Sequence, residues 1–152
     1  MKQFLFLICF LILTASCKEV FEAPPKSLLK ATFYNSTTDK TMNSSVTLLG
    51  VGLENLLFRD TIVDNALFPL TIKDTTRYII WLDSKSDSIT FVHQTIPKYA
   101  SVETGFYYEY NLLSVRFTHN RIDSIKIVDR LVTKKWNENI KLYIRPLPAG
   151  GN

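Results

Sequence analysis

Past residue 17 the sequence contains no cysteine: its two cysteines are Cys9 and Cys17. A body without thiols has no disulfide, no thiolate metal ligand and no cysteine nucleophile. The disulfide scaffold of many small exported domains is thereby excluded, and an apolar core has to hold the fold. Histidine is scarce as well, with only His93 and His119. A protein metal site usually needs three or four ligands. Asp83, Asp87 and Glu103 are the carboxylates that could join His93, but no zinc-type spacing links them. No metal and no cofactor is expected. Glycine is sparse, and Gly50-Val51-Gly52 lacks the third glycine and the following helix of a phosphate-cradling loop. There is no Gly-x-Ser-x-Gly elbow for a serine nucleophile. Glu103 and Glu109 are carboxylates near aromatics, with no sign of the paired arrangement that glycoside hydrolysis requires. The chain reads as no enzyme, and a hydrolase is the least favoured class.

Charge of one sign is also missing. Lys and Arg number 18 against 14 Asp and Glu, scattered without a basic stripe, which argues against nucleic acid as a partner. No sustained 3.6-residue period appears, so helical and α/β folds are disfavoured. The one long apolar run, Phe4–Leu13, is too short to cross a bilayer as a helix, which needs about 20 residues.

That run has a different use. Lys2 supplies a charge, Phe4–Leu13 an apolar centre, and Thr14-Ala15-Ser16 a set of small residues, the order of a secretory signal peptide. Leu13-Thr14-Ala15-Ser16-Cys17 resembles a bacterial lipobox with its leucine one place upstream, a relaxed form like those of Bacteroidota. The expectation is cleavage before Cys17 and lipid on its sulfur. Each buried methylene contributes about 0.8 kcal/mol, so two or three acyl chains such as palmitate anchor a protein durably. An ordinary secreted protein cut at the same place is the competing reading. Glu19 and Glu22 are similar to the acidic signals that send some Bacteroidota lipoproteins to the cell surface, and a solvated tether accounts for them equally. Pro24-Pro25 makes a stiff spacer. The expected organisation is a signal peptide over 1–16, a lipidated tether over 17–27, one domain over 28–145 and a flexible tail over 146–152.

The remainder reads as strands, with Val, Ile, Thr, Tyr and Phe segments broken by Asn, Asp, Ser, Gly and Pro. Strands are expected at Leu28–Tyr34, Val46–Leu49, Leu56–Val63 and Leu67–Ile72, with Pro69 marking an edge. Further strands are expected at Arg77–Leu82, Ser88–Gln94 and, after Pro97, Tyr99–Glu103. Phe106–Thr118 reads as two strands meeting near Asn111, followed by Ile122–Val128 and Ile140–Ile144. Asn35–Ser45 and Asp83–Asp87 read as polar loops, Asp64-Asn65 as a turn, and Asp129–Asn139 as a stretch able to hold a helical turn. Alternation puts Leu29, Ala31 and Phe33 on one face, Tyr78, Ile80 and Leu82 on another, and Ile89, Phe91 and His93 on a third. The fold class is all-β: an antiparallel β-sandwich, immunoglobulin-like or similar, with a small closed β-barrel as the alternative.

Phe68-Pro69-Leu70, Asp87-Ser88-Ile89-Thr90-Phe91, Tyr99–Phe106, Tyr110-Asn111-Leu112 and Ile122-Asp123-Ser124-Ile125 occur in that order. Together they resemble a family of small uncharacterised Bacteroidota lipoproteins over roughly Lys30 to Ile144. The resemblance implies a β-rich lipoprotein domain and brings no catalytic residues with it. It also implies a cysteine before the glycine, paired with one near the start of the domain. Here Thr104 stands at the first place, and no cysteine lies near Pro24.

Phe106-Tyr107-Tyr108-Glu109-Tyr110 is the most distinctive segment. Phe106, Tyr108 and Tyr110 share one face of a strand, and Tyr107 and Glu109 the other. Tyr107, Tyr108, Tyr110, Trp81 and Trp136 are the candidate contacts for a ligand or partner, since tyrosine and tryptophan suit interfaces. Core packing is the competing role for each. The functional expectation is a membrane-anchored, non-enzymatic interaction or structural module at the outer membrane, for instance a companion of an outer-membrane protein. A glycan- or peptide-binding module is the alternative.

Overall fold

The computed structural model describes residues 23–52 and 56–147. The expected signal peptide, Cys17 and most of the tether lie outside these residues, as does the end of the expected tail. The described residues contain ten strands and no helix: β1 (Leu28–Asn35), β2 (Ser44–Gly50), β3 (Leu56–Val63), β4 (Asn65–Pro69), β5 (Thr75–Leu82), β6 (Lys85–Ser101), β7 (Gly105–Phe117), β8 (Ile122–Ile127), β9 (Leu131–Val132) and β10 (Glu138–Ile144). They form a four-stranded sheet in the order β4-β1-β10-β8 and a six-stranded sheet in the order β3-β2-β5-β6-β7-β9. The sheets do not close on each other, so the molecule is a β-sandwich and not the alternative barrel. Every pair is antiparallel except β1 with β10, which are the first and last strands and need no hairpin between them.

Strict alternation builds the core. On the four-stranded sheet Leu29, Ala31, Phe33, Phe68, Ile140 and Leu142 face inward and are fully buried. The facing rows are Val46 and Leu48 on β2, Tyr78, Ile80 and Leu82 on β5, and Ile89 and Phe91 on β6. The expected faces of β1, β5 and β6 are the observed ones. Phe68 joins the sheets, meeting Tyr78 edge-on at 5.1 Å between centroids and Phe91 at 5.3 Å. Such pairs add about 0.5–1.5 kcal/mol to the burial of their rings.

Several expected boundaries move, each for a local reason. The Asp83–Asp87 loop shrinks to Asp83 and Ser84, with φ of 47° and 73°, and Leu82 pairs directly with Lys85. Two consecutive left-handed residues make the tight hairpin whose twist suits antiparallel strands. The shift turns Asp87 from a loop residue into an inward strand residue. The Asp64-Asn65 turn reduces to Asp64, because β3 and β4 belong to different sheets and the chain crosses there. Pro69 ends β4 on the sheet edge, as expected of a strand proline. Neither Pro97 nor Asn111 interrupts a strand. β6 runs through Pro97, where it has no β5 neighbour to bond, and β7 is one strand. The irregularity in β7 is a bulge at Leu113: Val92 pairs with Ser114 and His93 with Leu112. Asp129–Asn139 holds the short β9 and no helical turn.

These pairings define two ends. The root end, where the chain runs into β1, gathers Leu28, Pro69, Thr75, His93 and Glu138. The far end gathers Asn35, Asp83, Lys85, Thr118, Ile122 and Ile144. β6 and β7 overrun the root end as a two-stranded ribbon. Its outer part, Ile96–Ser101 against Gly105–Glu109, is about 20 Å long at 3.3 Å per residue.

Candidate functional site

Each end of the inward row of β6 carries a buried polar side chain, Asp87 at the far end and His93 at the root end. Asp87 is fully engaged. Its Oδ1 accepts from Thr118 Oγ1 at 2.6 Å and from the Asn120 amide at 2.8 Å. Its Oδ2 accepts from the amides of Arg121 at 2.6 Å and Ile122 at 2.9 Å. The carboxylate thus fixes the β7–β8 connection. Arg121 then donates from Nη2 to Asp83 Oδ2 at 2.6 Å, and Asp83 also accepts from the Ser45 amide and the Ser44 hydroxyl. Burial pushes the Asp83 carboxyl upward, but the bonds from Arg121, Ser45 and Ser44 outweigh it and hold the group below its ordinary range. This cluster is a clamp in which Asp87 takes four donors, while Arg121 Nε is left buried without a protein partner.

The root-end group is looser. His93 Nε2 lies 2.9 Å from Thr76 Oγ1, and its ring meets Tyr110 edge-on at 5.1 Å. Thr76 Oγ1 also accepts from the Thr71 amide at 3.0 Å, and Tyr110 donates to the Leu70 carbonyl at 2.9 Å. These bonds tie the β4–β5 connection to the sheet. His93 Nδ1 is buried with no protein partner. Burial lowers the His93 pKa, opposed by Asp74, and the ring is neutral at pH 7. The other histidine, His119, tilts against Phe117 at 4.7 Å. Among the described residues neither imidazole is hydrogen-bonded to a carboxylate, and no three of His, Cys, Asp and Glu are grouped as metal ligands. Asp83 and Asp87 lie at the end opposite His93, so the carboxylates that sequence proximity suggested for it are not its neighbours.

The ribbon carries the exposed aromatics. Phe106, Tyr108 and Tyr110 share the inward-facing side, as alternation requires, but that side has a partner sheet only at Tyr110. Tyr110 is buried, Tyr108 is exposed and Phe106 is 65% exposed. Tyr99 stands opposite Phe106 in register, meets it edge-on at 5.4 Å and is 59% exposed. At the tip Val102 is 86% exposed. The tip turn is fixed by Gly105 at φ 70° and by Ser101 Oγ, which accepts from the Thr104 amide at 3.1 Å. Beneath the ribbon a cleft of about 290 Å³ opens, lined by Pro24, Pro25, Leu28, Leu70, Phe106 and Tyr108. Trp136 donates from Nε1 to the Lys26 carbonyl at 2.9 Å, fastening the lead-in segment to the same end.

Of the five aromatic candidates, Tyr107, Tyr108, Tyr110 and Trp136 therefore gather around the root end. Trp81 does not: it is half-buried on the outer face of β5, in a shallow cleft with Thr47, Asp60 and Ser84. Tyr107 is half-buried too, with Lys134 Nζ 5.7 Å above its ring. The exposed side of the strand is thus the one bearing Phe106 and Tyr108, and not the one bearing Tyr107. Tyr99, Val102 and Phe106 were not among the candidates. The signal for them was there, since alternation continues past Pro97 at a length no partner sheet can cover.

A family model described as a family of unknown function, DUF6452, matches residues 45–144, from within β2 to the end of β10. No curated protein and no solved structure matches the chain.

Proposed function

The chain belongs to this DUF6452 family of unknown function, and we propose that it is a lipid-anchored, non-enzymatic interaction or structural module at the outer membrane. The observation that carries the reading is the succession of Lys2, the apolar run Phe4–Leu13, the small residues Thr14–Ser16 and then Cys17. A thiol at that place is the acceptor a lipoprotein needs, and the sequence has no thiol after it. The body supports a binding role: Phe106 and Tyr108 stand exposed on the ribbon and line a cleft beneath it. Metabolic labelling with alkyne-palmitate in a diderm host tests the anchor. The wild-type chain takes up label and Cys17→Ala does not; equal labelling, or none in either, refutes it. Crosslinking in intact envelopes tests the role, with a specific outer-membrane protein as the expected partner.

The cleft under the ribbon favours a second reading, a glycan- or peptide-binding module. Phe106 and Tyr108 offer it aromatic surface, and about 290 Å³ is at the small end of ligand-site volumes. Calorimetric titration with envelope oligosaccharides and short peptides separates the readings. A heat abolished by Tyr108→Ala supports binding in the cleft, and its absence leaves the interaction role.

A further inference from the structure

We propose that the tip of the β6–β7 ribbon is a membrane-contact site that seats Tyr99, Val102 and Phe106 in the headgroup layer of the bilayer. The inference rests on the lipid-anchor reading and adds a second point of attachment to it. Isolated exposed apolar residues are ordinary on a protein surface. These are not isolated: Tyr99 and Phe106 stand opposite each other and touch, Tyr108 continues the same face, and Val102 caps the turn. Tyrosine and phenylalanine are suited to the boundary between headgroups and acyl chains.

What faces this tip follows from the reach of the chain. Five residues separate Cys17 from Ala23, and the six Cα–Cα steps span at most about 21 Å when fully extended. Pro24 and Pro25 already line the cleft with Phe106 and Tyr108. A lipid on Cys17 therefore holds the root end, and not the far end, against the bilayer. The outer ribbon, about 20 Å long, points from that same end, so its length matches the reach of the tether. Charge agrees with an anionic headgroup surface. Lys26, Lys134 and Lys135 are exposed at the root end, and Lys98 lies on the ribbon, held by Glu109 at only 3.9 Å. The opposing charges are Glu103 in the tip turn, Glu109 on the ribbon, and Asp74 and Glu138 at the root end; Glu103, nearest the tip, is exposed.

The test uses the processed, full-length lipoprotein, reconstituted into vesicles of phosphatidylethanolamine and phosphatidylglycerol with brominated acyl chains. Phe106→Trp is made in a background of Trp81→Phe and Trp136→Phe, and a control retains Trp81 alone. The expected result is loss of most of the emission at position 106, with emission at Trp81 unchanged. Emission at position 106 that is no weaker in brominated than in unbrominated vesicles overturns the contact, including the case in which a second copy covers the tip. Intact mass of the same samples separates the two failures. Lipid on Cys17 without quenching sinks the contact alone, and an unmodified Cys17 sinks the anchor and the contact together. Circular dichroism verifies that each variant is folded.

Discussion

At the far end of the sandwich a buried carboxylate meets four donors and fixes a connection; at the root end a buried imidazole meets one hydroxyl and leaves a nitrogen without a partner. The same strand, β6, supplies both groups six residues apart on the same face. The difference lies in what surrounds them. At the far end both sheets stop together and the Arg121–Asp83 pair closes the gap. At the root end β6 and β7 continue without a facing sheet, and apolar side chains are left in water. The four donors around Asp87 hold its carboxylate to the β7–β8 connection and leave it engaged within the fold. An aromatic face that no described strand covers is where an outside surface can act.

The largest expected effect follows from removing the clamp. Asp87→Ala leaves three backbone amides and a threonine hydroxyl without their acceptor, and urea unfolding is expected to show a loss of about 3–5 kcal/mol. A loss under about 1 kcal/mol would mean that water replaces the carboxylate and that the ends do not differ as described. Thr76→Val, which removes the root-end hydroxyl but keeps its volume, is expected to cost less, about 1–3 kcal/mol. If it costs more than Asp87→Ala, the ranking of the two ends is reversed.

Acid separates the ends in another way. His93 has a folded pKa below its ordinary 6.5, so the unfolded chain takes up the proton first. Its contribution is full above that value and is lost progressively as the pH falls below it. Asp83 has a folded pKa below its ordinary 3.8, so its contribution is full above 3.8 and is lost as the pH falls through the folded value. Stability measured from pH 7 to pH 5 should therefore decline through His93, and His93→Gln should flatten that decline; an unchanged slope would remove His93 as its source. Asp83→Asn should lower stability by a constant amount across this range, leave the slope there unchanged, and flatten the decline only below about pH 3.8. The smallest effect on stability is expected at the ribbon, where Tyr99→Ser and Phe106→Ser each remove one exposed aromatic pair and should cost no more than about 1 kcal/mol. A larger loss in chemical denaturation would show that these side chains belong to the core.

Much of this contrast could be read from the sequence, but not the part that decides it. Alternation in Leu29-Lys30-Ala31-Thr32-Phe33 and Tyr78-Ile79-Ile80-Trp81-Leu82 was enough to identify strands, inward faces and a sandwich. Asp87 was hidden because Asp83-Ser84-Lys85-Ser86-Asp87 looks like one polar loop. Only the left-handed pair Asp83-Ser84 shortens the turn and sends Asp87 inward. The tip was hidden because Pro97 suggests a strand end, whereas a proline costs no ladder bond on a side with no neighbour. Alternation shows that Phe106, Tyr108 and Tyr110 share a face, but not where the facing sheet runs out. That limit belongs to β1, β4 and β10, which are remote in the chain. The Trp136 bond to Lys26 likewise joins residues 110 apart.

The assignment of the two ends rests on where the chain is held. Intact-mass analysis of the processed protein tests this most directly. The account predicts a chain that has lost Met1–Ser16 and carries diacylglycerol on Cys17 as its first residue. A chain that keeps its first sixteen residues, or begins at Cys17 with a free thiol, would contradict it.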